Sequence, residues 1–444
     1  MNVNREPEIR VGLIMGAAEA RFTLSGRFDA AGGSLAGDDH VAFAEKGTVS
    51  LAGLPSAPTI TLSPSDFDSC RFTVHGVKIG IEFHWERLES QHFQGKLTIS
   101  ADGDRLTVIN ELPLESYLIS VISSEMSAAC PVELLRAHAI VSRSWLLAQL
   151  EGSPADPAQQ SNVTDNAPEE IIRWYDRESH TGFDVCADDH CQRYQGIGKA
   201  FSQAAFDAVR DTRGKALVYE GEICDTRYSK SCGGVTEEYR AAWENKDVPY
   251  LRSIYDGNGE RPSEYRMPLT LEENAESWIT GSPPACCGFI SSELLSRIVP
   301  DFDQETLDSY RWRVDYSQDE LREILHSRYG LDFGRIRNLQ ALERGQSGRI
   351  IKLRIDGETR SLVIGKELEI RRALSRSHLY SSAFVVQPNH QSSEYPAAFT
   401  LRGAGWGHGV GLCQIGAAVL ADRGSSYQSI LSHYFASAKL VNLY

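Results

Sequence analysis

No run of this 444-residue chain is long and apolar enough to span a bilayer, which argues against a helical membrane protein. Positive charge is also scarce. Lys and Arg number 45 against 60 Asp and Glu, a formal net charge of -15. That balance lacks the basic surface a nucleic-acid binder needs, while a neutral or weakly charged glycan stays compatible. An export leader is not evident. Met1 to Pro7 is polar, and Ile9 to Met15 is short and interrupted by Gly12, so either a leader lies outside this sequence or the protein stays where it is made. There is no internal repeat. Nine cysteines cannot all pair within the chain, and the adjacent Cys286 and Cys287 are poorly placed to pair with each other. The expectation is a mixture of metal-bound and free thiols rather than a disulfide framework.

What is present begins with a helix. Leu114, Tyr117, Leu118, Val121 and Ile122 recur at i, i+3, i+4, i+7 and i+8, predicting an amphipathic helix from Leu114 to about Met126. Continuing that spacing puts Glu125 on the apolar stripe, with Glu115 and the serines at 116, 120, 123 and 124 off it. A carboxylate on an apolar face is costly when ionised, and a helix C-terminus adds partial negative charge. Both effects are expected to raise its pKa, as a general acid near neutral pH requires. The plainer reading makes Glu125 a structural carboxylate paired with a residue such as Arg143.

Around this helix the chain reads as α+β. Residues from about Pro7 to Asn110 are β-rich. Arg21–Leu24, Arg71–Val74, Ile79–Trp85, Gly95–Ile99 and Leu106–Asn110 alternate as strands between Gly, Asp, Asn and Ser turns. Pro131 suits the first turn of a second helix, running to about Leu150. A polar stretch, 152–170, follows, and a second irregular one covers 257–284. Ser291–Val299 and Ser317–Tyr329 look helical. Ile350–Ile355 and Ser361–Ile364 look like strands joined by a turn at Asp356-Gly357. The boundaries read from these shifts are a β-rich unit (1–110), a core (111–256) with an insert at about 175–195, a mixed α/β subdomain (257–395), and a C-terminal part of the core (396–444).

His180, Cys186, His190 and Cys191 place two thiols and two imidazoles within twelve residues, donors suited to tetrahedral zinc. A Cys186–Cys191 disulfide, or a reduced loop with incidental histidines, is the alternative. Four protein ligands would make the zinc site structural and closed; three and a water would open it to catalysis. If zinc does not sit here, Cys224 and Cys232 are the fallback. Two glycine-rich blocks, Ser229–Gly234 and Gly405–Gly411, lack the features of phosphate-binding loops, but glycines let backbone approach a bulky ligand closely. Trp406 can stack on a sugar face and His408 can donate to a hydroxyl or orient an acid. Cys413, just after the second block, is expected to be buried rather than reactive.

Taken in order, ELPLESYLISVISSEM with the Pro131–Trp145 helix, then Ser229–Gly234 with Trp243 and Val248–Leu251, then Gly405–Gly411 with Gln414 and Gly416, resemble the SpoIID/LytB family. These are the stage II sporulation protein D peptidoglycan lytic transglycosylases and the related amidase-enhancer proteins. The resemblance runs from about Leu112 to the C-terminus. Cys232 stands where many relatives have a small hydroxyl or glycine, and Tyr228 where several have histidine. What it implies is a SpoIID-like catalytic core with an open cleft, acting on peptidoglycan glycan strands in the cell envelope. Glu125 would be the catalytic acid and then base, with Arg143 tuning it. Ser229, Ser231, Gly233, Gly234, Trp406, His408, Gly409 and Gln414 would contact the glycan. The resemblance also extends to a metal-binding insert, through Gly182-Phe183-Asp184. Both glycine-rich blocks are expected to wall a groove at Glu125, with Arg143 within reach.

Two other functions compete. An amidase enhancer would bind cell wall and stimulate a separate cell-wall amidase without catalysis of its own. A zinc hydrolase centred on residues 180–191 would lack the glutamate base of a His-Glu-x-x-His motif.

Overall fold

Side chains along the strand Arg71–Ile79 alternate until the chain bulges. Phe72 and Val74 point inward, Gly76 adopts φ +75° in the left-handed region, and the inward row resumes at Val77 and Ile79. An extra residue at such a point resets the period-two pattern, and glycine accepts the positive φ without strain. The computed structural model describes residues 5–80, 86–127, 129–151, 169–175, 180–188, 190–198, 202–298, 309–390 and 394–444. Residues 81–85 of the expected strand and 152–168 of the expected polar stretch lie outside them. The chain is mixed α and β, with ten α-helices among the described residues, as an α+β reading requires. No helix among them is long and apolar enough to cross a membrane.

The chain divides into two compact units, Met1–Gly152 with Ser179–Ala216 and Leu440–Tyr444, and Ser153–Glu178 with Leu217–Lys439. The β-rich segment therefore folds together with the two helices that follow it and with the insert, a grouping the sequence boundaries did not draw. The physical reason lies in strand pairing. Glu8–Ala17 pairs antiparallel with Arg105–Pro113 on one side and parallel with Val185–Cys186 on the other. The insert thus forms the edge of a seven-stranded sheet. Phe28 of that sheet meets Phe72 of a five-stranded sheet edge-on, with ring centroids 6.2 Å apart. From there stacked rings run Phe72, Phe93, Tyr194 and Tyr117, carrying the core from the sheets to the first helix.

That helix, α1, spans Leu114–Glu125, and α2 spans Val132–Glu151. The expected stripe of α1 is buried, but so are Glu115, Ser120, Ser123 and Ser124. The expectation that these positions face away from the core is corrected: α2, α3 (Gln203–Asp211) and the 192–195 loop enclose the helix on several sides. A helix so enclosed must satisfy its polar groups internally.

In the second unit, Arg311–Ser317, Ala398–Ala404 and Phe384–Asn389 form an antiparallel sheet. A four-stranded sheet is built from Glu170–Ile172, Ser361–Gly365, Ile350–Gly357 and Ile336–Arg344. Their shared core includes Trp312, Leu325, Leu353, Phe384 and Phe399. The helix Gln318–Tyr329 is capped by Ser317, whose side chain accepts the Glu320 N–H, and ends at left-handed Gly330. The expected turn at Asp356-Gly357 falls later. Both residues stay in the strand, Asp356 pairs with Ser361, and the Gly357 N–H donates to the Arg360 carbonyl.

Candidate functional site

Glu125 is the last residue of α1 and is half-buried, while its neighbours Ser123, Ser124 and Met126 are buried. Its Oε1 accepts the backbone N–H of Arg193 at 3.0 Å. The same short loop follows the helix closely. Tyr117 donates its hydroxyl to Gln192 Oε1 at 3.2 Å, the Gln195 N–H donates to Ser120 Oγ at 3.2 Å, and Tyr194 donates to Asn110 Oδ1 at 2.5 Å. Residues 192–195 therefore hold three turns of α1 in register with the carboxylate at its end. Nothing in the sequence pattern marks the Arg193 N–H, because a backbone donor leaves no residue-type signature.

Arg143 does not pair with Glu125, so the plainer reading of a Glu125–Arg143 ion pair is corrected. The guanidinium is fully buried and forks onto Glu115, Nε to Oε1 at 3.0 Å and Nη2 to Oε2 at 2.5 Å. Its Nη1 donates to the carbonyls of Lys215 and Ala139 at 3.0 and 3.4 Å. Glu115 also accepts the Gly214 N–H and the Tyr444 hydroxyl, and burial together with Glu115 raises the pKa of that phenol. A guanidinium with these partners anchors the start of α1.

Immediately before the loop, the four insert residues converge. His180 Nε2 lies 3.2 Å from Cys191 Sγ, His190 Nδ1 lies 3.5 Å from Cys191 Sγ and 3.9 Å from Cys186 Sγ, and all four ligand atoms fall within 4.8 Å of one another. Ligands around a tetrahedral zinc with bonds of about 2.0 Å to nitrogen and 2.3 Å to sulfur stand roughly 3.5 Å apart. Hydrogen bonds from Cys191 and then from the two imidazoles hold the Cys186 thiol far below its ordinary pKa, against the opposing effect of burial. Gly12 makes this packing possible. A Cβ there would meet the Phe183 ring at 2.7 Å, and that ring stacks on His180 at 4.7 Å. Cys224, one of the fallback ligands, is a separate buried thiol in neither metal-ligand cluster found among the described residues, and burial pushes it up to about 12.

In the second unit the two glycine-rich blocks meet, although they are far apart in sequence. Ser231 and Trp406 exchange backbone hydrogen bonds of 3.1 and 2.8 Å, and Tyr228–Ser229 pairs parallel with Leu412–Cys413. Arg349 fastens both blocks, donating to the Gly407 carbonyl at 3.0 and 3.2 Å and to the Cys232 carbonyl at 3.1 Å. Gly409 lies against that guanidinium, where a Cβ would approach it to 2.4 Å. Trp406 and His408 are half-buried. Gly233, Gly234 and Gly409 are buried, as are Ser229 at 7%, Gln414 at 3% and Ser231 at 0% exposure. Ser231 and Gln414 therefore lie beneath the surface of the block. His408 stands edge-on to Trp243, centroids 4.8 Å apart, and the Arg227 guanidinium lies 4.4 Å over the Trp243 ring. Burial, then Arg227, holds the imidazole well below its ordinary pKa, so it is neutral and its Nδ1 accepts the Val410 N–H at 3.0 Å. Glu125 belongs to the first unit and these blocks to the second.

Comparison with known proteins finds relatives over about three quarters of the chain. Residues 102–219 match the profile of the stage II sporulation protein family, and residues 237–411 match a family described only as a domain of unknown function. Stage II sporulation protein D of Bacillus amyloliquefaciens is 23% identical over 328 residues, covering 74% of each chain. That of Bacillus subtilis strain 168 is 20% identical over 338 residues, 75% of each. The amidase enhancer of the same strain is 23% identical over 326 residues, 73% of this chain and 40% of the relative. The chain thus carries a stage II sporulation protein domain over residues 102–219 and is similar to stage II sporulation protein D and an amidase enhancer over about three quarters of its length.

Proposed function

We propose that this protein is a peptidoglycan lytic transglycosylase with Glu125 as its acid and then its base. The observation that carries the reading is a half-buried carboxylate at the end of a buried helix, fixed at Oε1 by the Arg193 N–H, inside the segment that matches the family. In the first step protonated Glu125 gives its proton to the glycosidic oxygen as the bond from the N-acetylmuramic acid anomeric carbon to that oxygen breaks. In the second, the Glu125 carboxylate takes the proton from the muramic acid C6 hydroxyl while its oxygen bonds to the same anomeric carbon. The products are a free N-acetylglucosamine hydroxyl and a 1,6-anhydro sugar, the acid is restored, and no water is consumed. A nucleophile tethered in the substrate has a high effective concentration, so one acid suffices where ordinary glycosidases use two.

Arg143 is a positioning residue in this scheme, acting through Glu115 and α1. Trp406, with Tyr380 set perpendicular to it at 5.3 Å, and the neutral His408 supply glycan contacts. The buried Ser229, Ser231 and Gln414 and the glycines Gly233, Gly234 and Gly409 shape the backbone beneath them. His180, Cys186, His190 and Cys191 would hold one zinc, whose bonds would tie down the loop leading to Arg193. With four protein ligands the metal has no open position for chemistry. The likeness to the stage II sporulation protein family supports work at the cell wall, with glycan strands as the proposed substrate.

A second reading, stimulation of a separate amidase, rests on the amidase-enhancer relative. Mass spectrometry of denuded glycan strands after incubation, with and without an added cell-wall amidase, separates the two. Anhydro ends formed by the protein alone support the transglycosylase; amidase stimulation without anhydro ends supports the enhancer.

A further inference from the structure

Cys232, Asp256, Cys287 and Cys413 come from four distant stretches of the second unit, yet their ligand atoms lie within 4.8 Å of one another and all four residues are buried. Cys232 Sγ stands 3.7 Å from Cys287 Sγ and 3.2 Å from Asp256 Oδ2. Tetrahedral zinc with bonds of about 2.3 Å to sulfur and 2.0 Å to oxygen separates two sulfurs by roughly 3.8 Å and a sulfur from an oxygen by roughly 3.5 Å. The group already has the shape of such a shell.

Backbone N–H groups already point at two of the three sulfurs. Cys413 Sγ accepts the N–H groups of Cys232 and Gly416, and Cys232 Sγ accepts that of Gly234, each at 3.3 Å. Cys413 thereby caps the helix Gln414–Asp422, whose N-terminus favours negative charge. The other carboxylate oxygen, Asp256 Oδ1, is oriented by the Tyr434 hydroxyl at 2.9 Å and His433 Nε2 at 3.2 Å, as outer partners orient a metal ligand. Gly416 leaves the room this needs: a Cβ there would lie 2.4 Å from Asp256 Oδ2.

We propose that Cys232, Asp256, Cys287 and Cys413 bind a single zinc ion as a closed, structural site. It ties the Ser229–Gly234 block, through Cys232, to the end of the Gly405–Gly411 block, through Cys413. Soft thiolates favour zinc over calcium or magnesium, and four protein ligands leave no position for substrate. This site is independent of the catalytic reading of Glu125.

The test is metal content of the full chain purified without chelator. Wild type should carry about two zinc ions, one for each four-ligand group. Cys186→Ser with Cys191→Ser should leave about one, which cobalt(II) replaces with the absorption bands of a tetrahedral, thiolate-rich complex. Adding Cys287→Ser should remove that ion and those bands, whereas Cys224→Ser should change neither. Since loss of the ion can cost the Cys287 variant its fold, the decisive sample is the Cys186/Cys191 double variant, which keeps this group intact. A folded double variant that holds no zinc and takes up no cobalt overturns the proposal. So does non-reducing peptide mapping that shows Cys232 joined to Cys287 or Cys413. If the double variant does not fold, a wild-type content of about one zinc, lost with Cys186 and Cys191 alkylation, overturns it equally.

Discussion

Replacing Arg143 by methionine removes a guanidinium that no solvent reaches and leaves the Glu115 carboxylate with only the Gly214 N–H and the Tyr444 hydroxyl. Two bonds to Glu115 and one each to the Lys215 and Ala139 carbonyls disappear together. Breaking one side of a buried ion pair costs about 3–5 kcal/mol, because the remaining charge stays buried without compensation. Against a typical domain stability of about 5–15 kcal/mol that is a large share. The melting temperature should fall by on the order of 10 °C. Removing both charges at once, Arg143→Met with Glu115→Leu, should recover much of the loss, since apolar replacement of a buried pair is often close to neutral. Thermal and urea unfolding of wild type, both single variants and the double variant give the coupling directly. If Arg143→Met melts within a degree or so of wild type while glycan cleavage collapses, Arg143 touches the chemistry and the positioning role is wrong.

Other consequences are as direct. Cys186→Ser with Cys191→Ser frees the loop that presents the Arg193 N–H to Glu125. A hydrogen bond to a charged group is worth about 1.5–3 kcal/mol, so turnover should drop roughly 10- to 150-fold with the fold retained by circular dichroism; unchanged turnover in a metal-free variant would show that the loop does not hold the carboxylate. Acid should destabilise the second unit through His378 and His408. Burial and neighbouring arginines push His378 down to about 3 and hold His408 well below its ordinary value. The unfolded chain therefore takes up protons below about pH 6.5 that the folded chain refuses, and stability should decline as pH falls from there, on the order of 1 kcal/mol per pH unit per histidine. Urea midpoints between pH 7 and 5 check this, and a flat profile would contradict the lowering of both imidazoles.

The helix with Glu125 at its end was legible because a period of 3.6 reports the face that meets the core. The same signal misplaced Glu115. Once α2 and α3 close around α1, a position off the stripe is buried too, and its partner Arg143 lies 28 residues away, beyond any local pattern. The 180–191 group was readable for the opposite reason: its donors fall within one short segment. Cys232, Cys287 and Cys413 gave no such signal. They are 55 and 126 residues apart, and only the fold brings them together. The β-rich start of the chain was visible in its alternation, but not its union with the helices, which depends on the parallel pairing of Val11–Gly12 with Val185–Cys186.

The central claim is that the Glu125 carboxyl carries the proton in both halves of glycan cleavage. Glu125→Gln keeps the size of the side chain and its acceptor for the Arg193 N–H but removes the titrating proton. Denuded glycan strands incubated with each protein and analysed by mass spectrometry should show 1,6-anhydro ends with wild type. With the variant the rate should fall by about 10² or more, at unchanged melting temperature. Anhydro ends released by the Gln variant at a near wild-type rate would contradict the account.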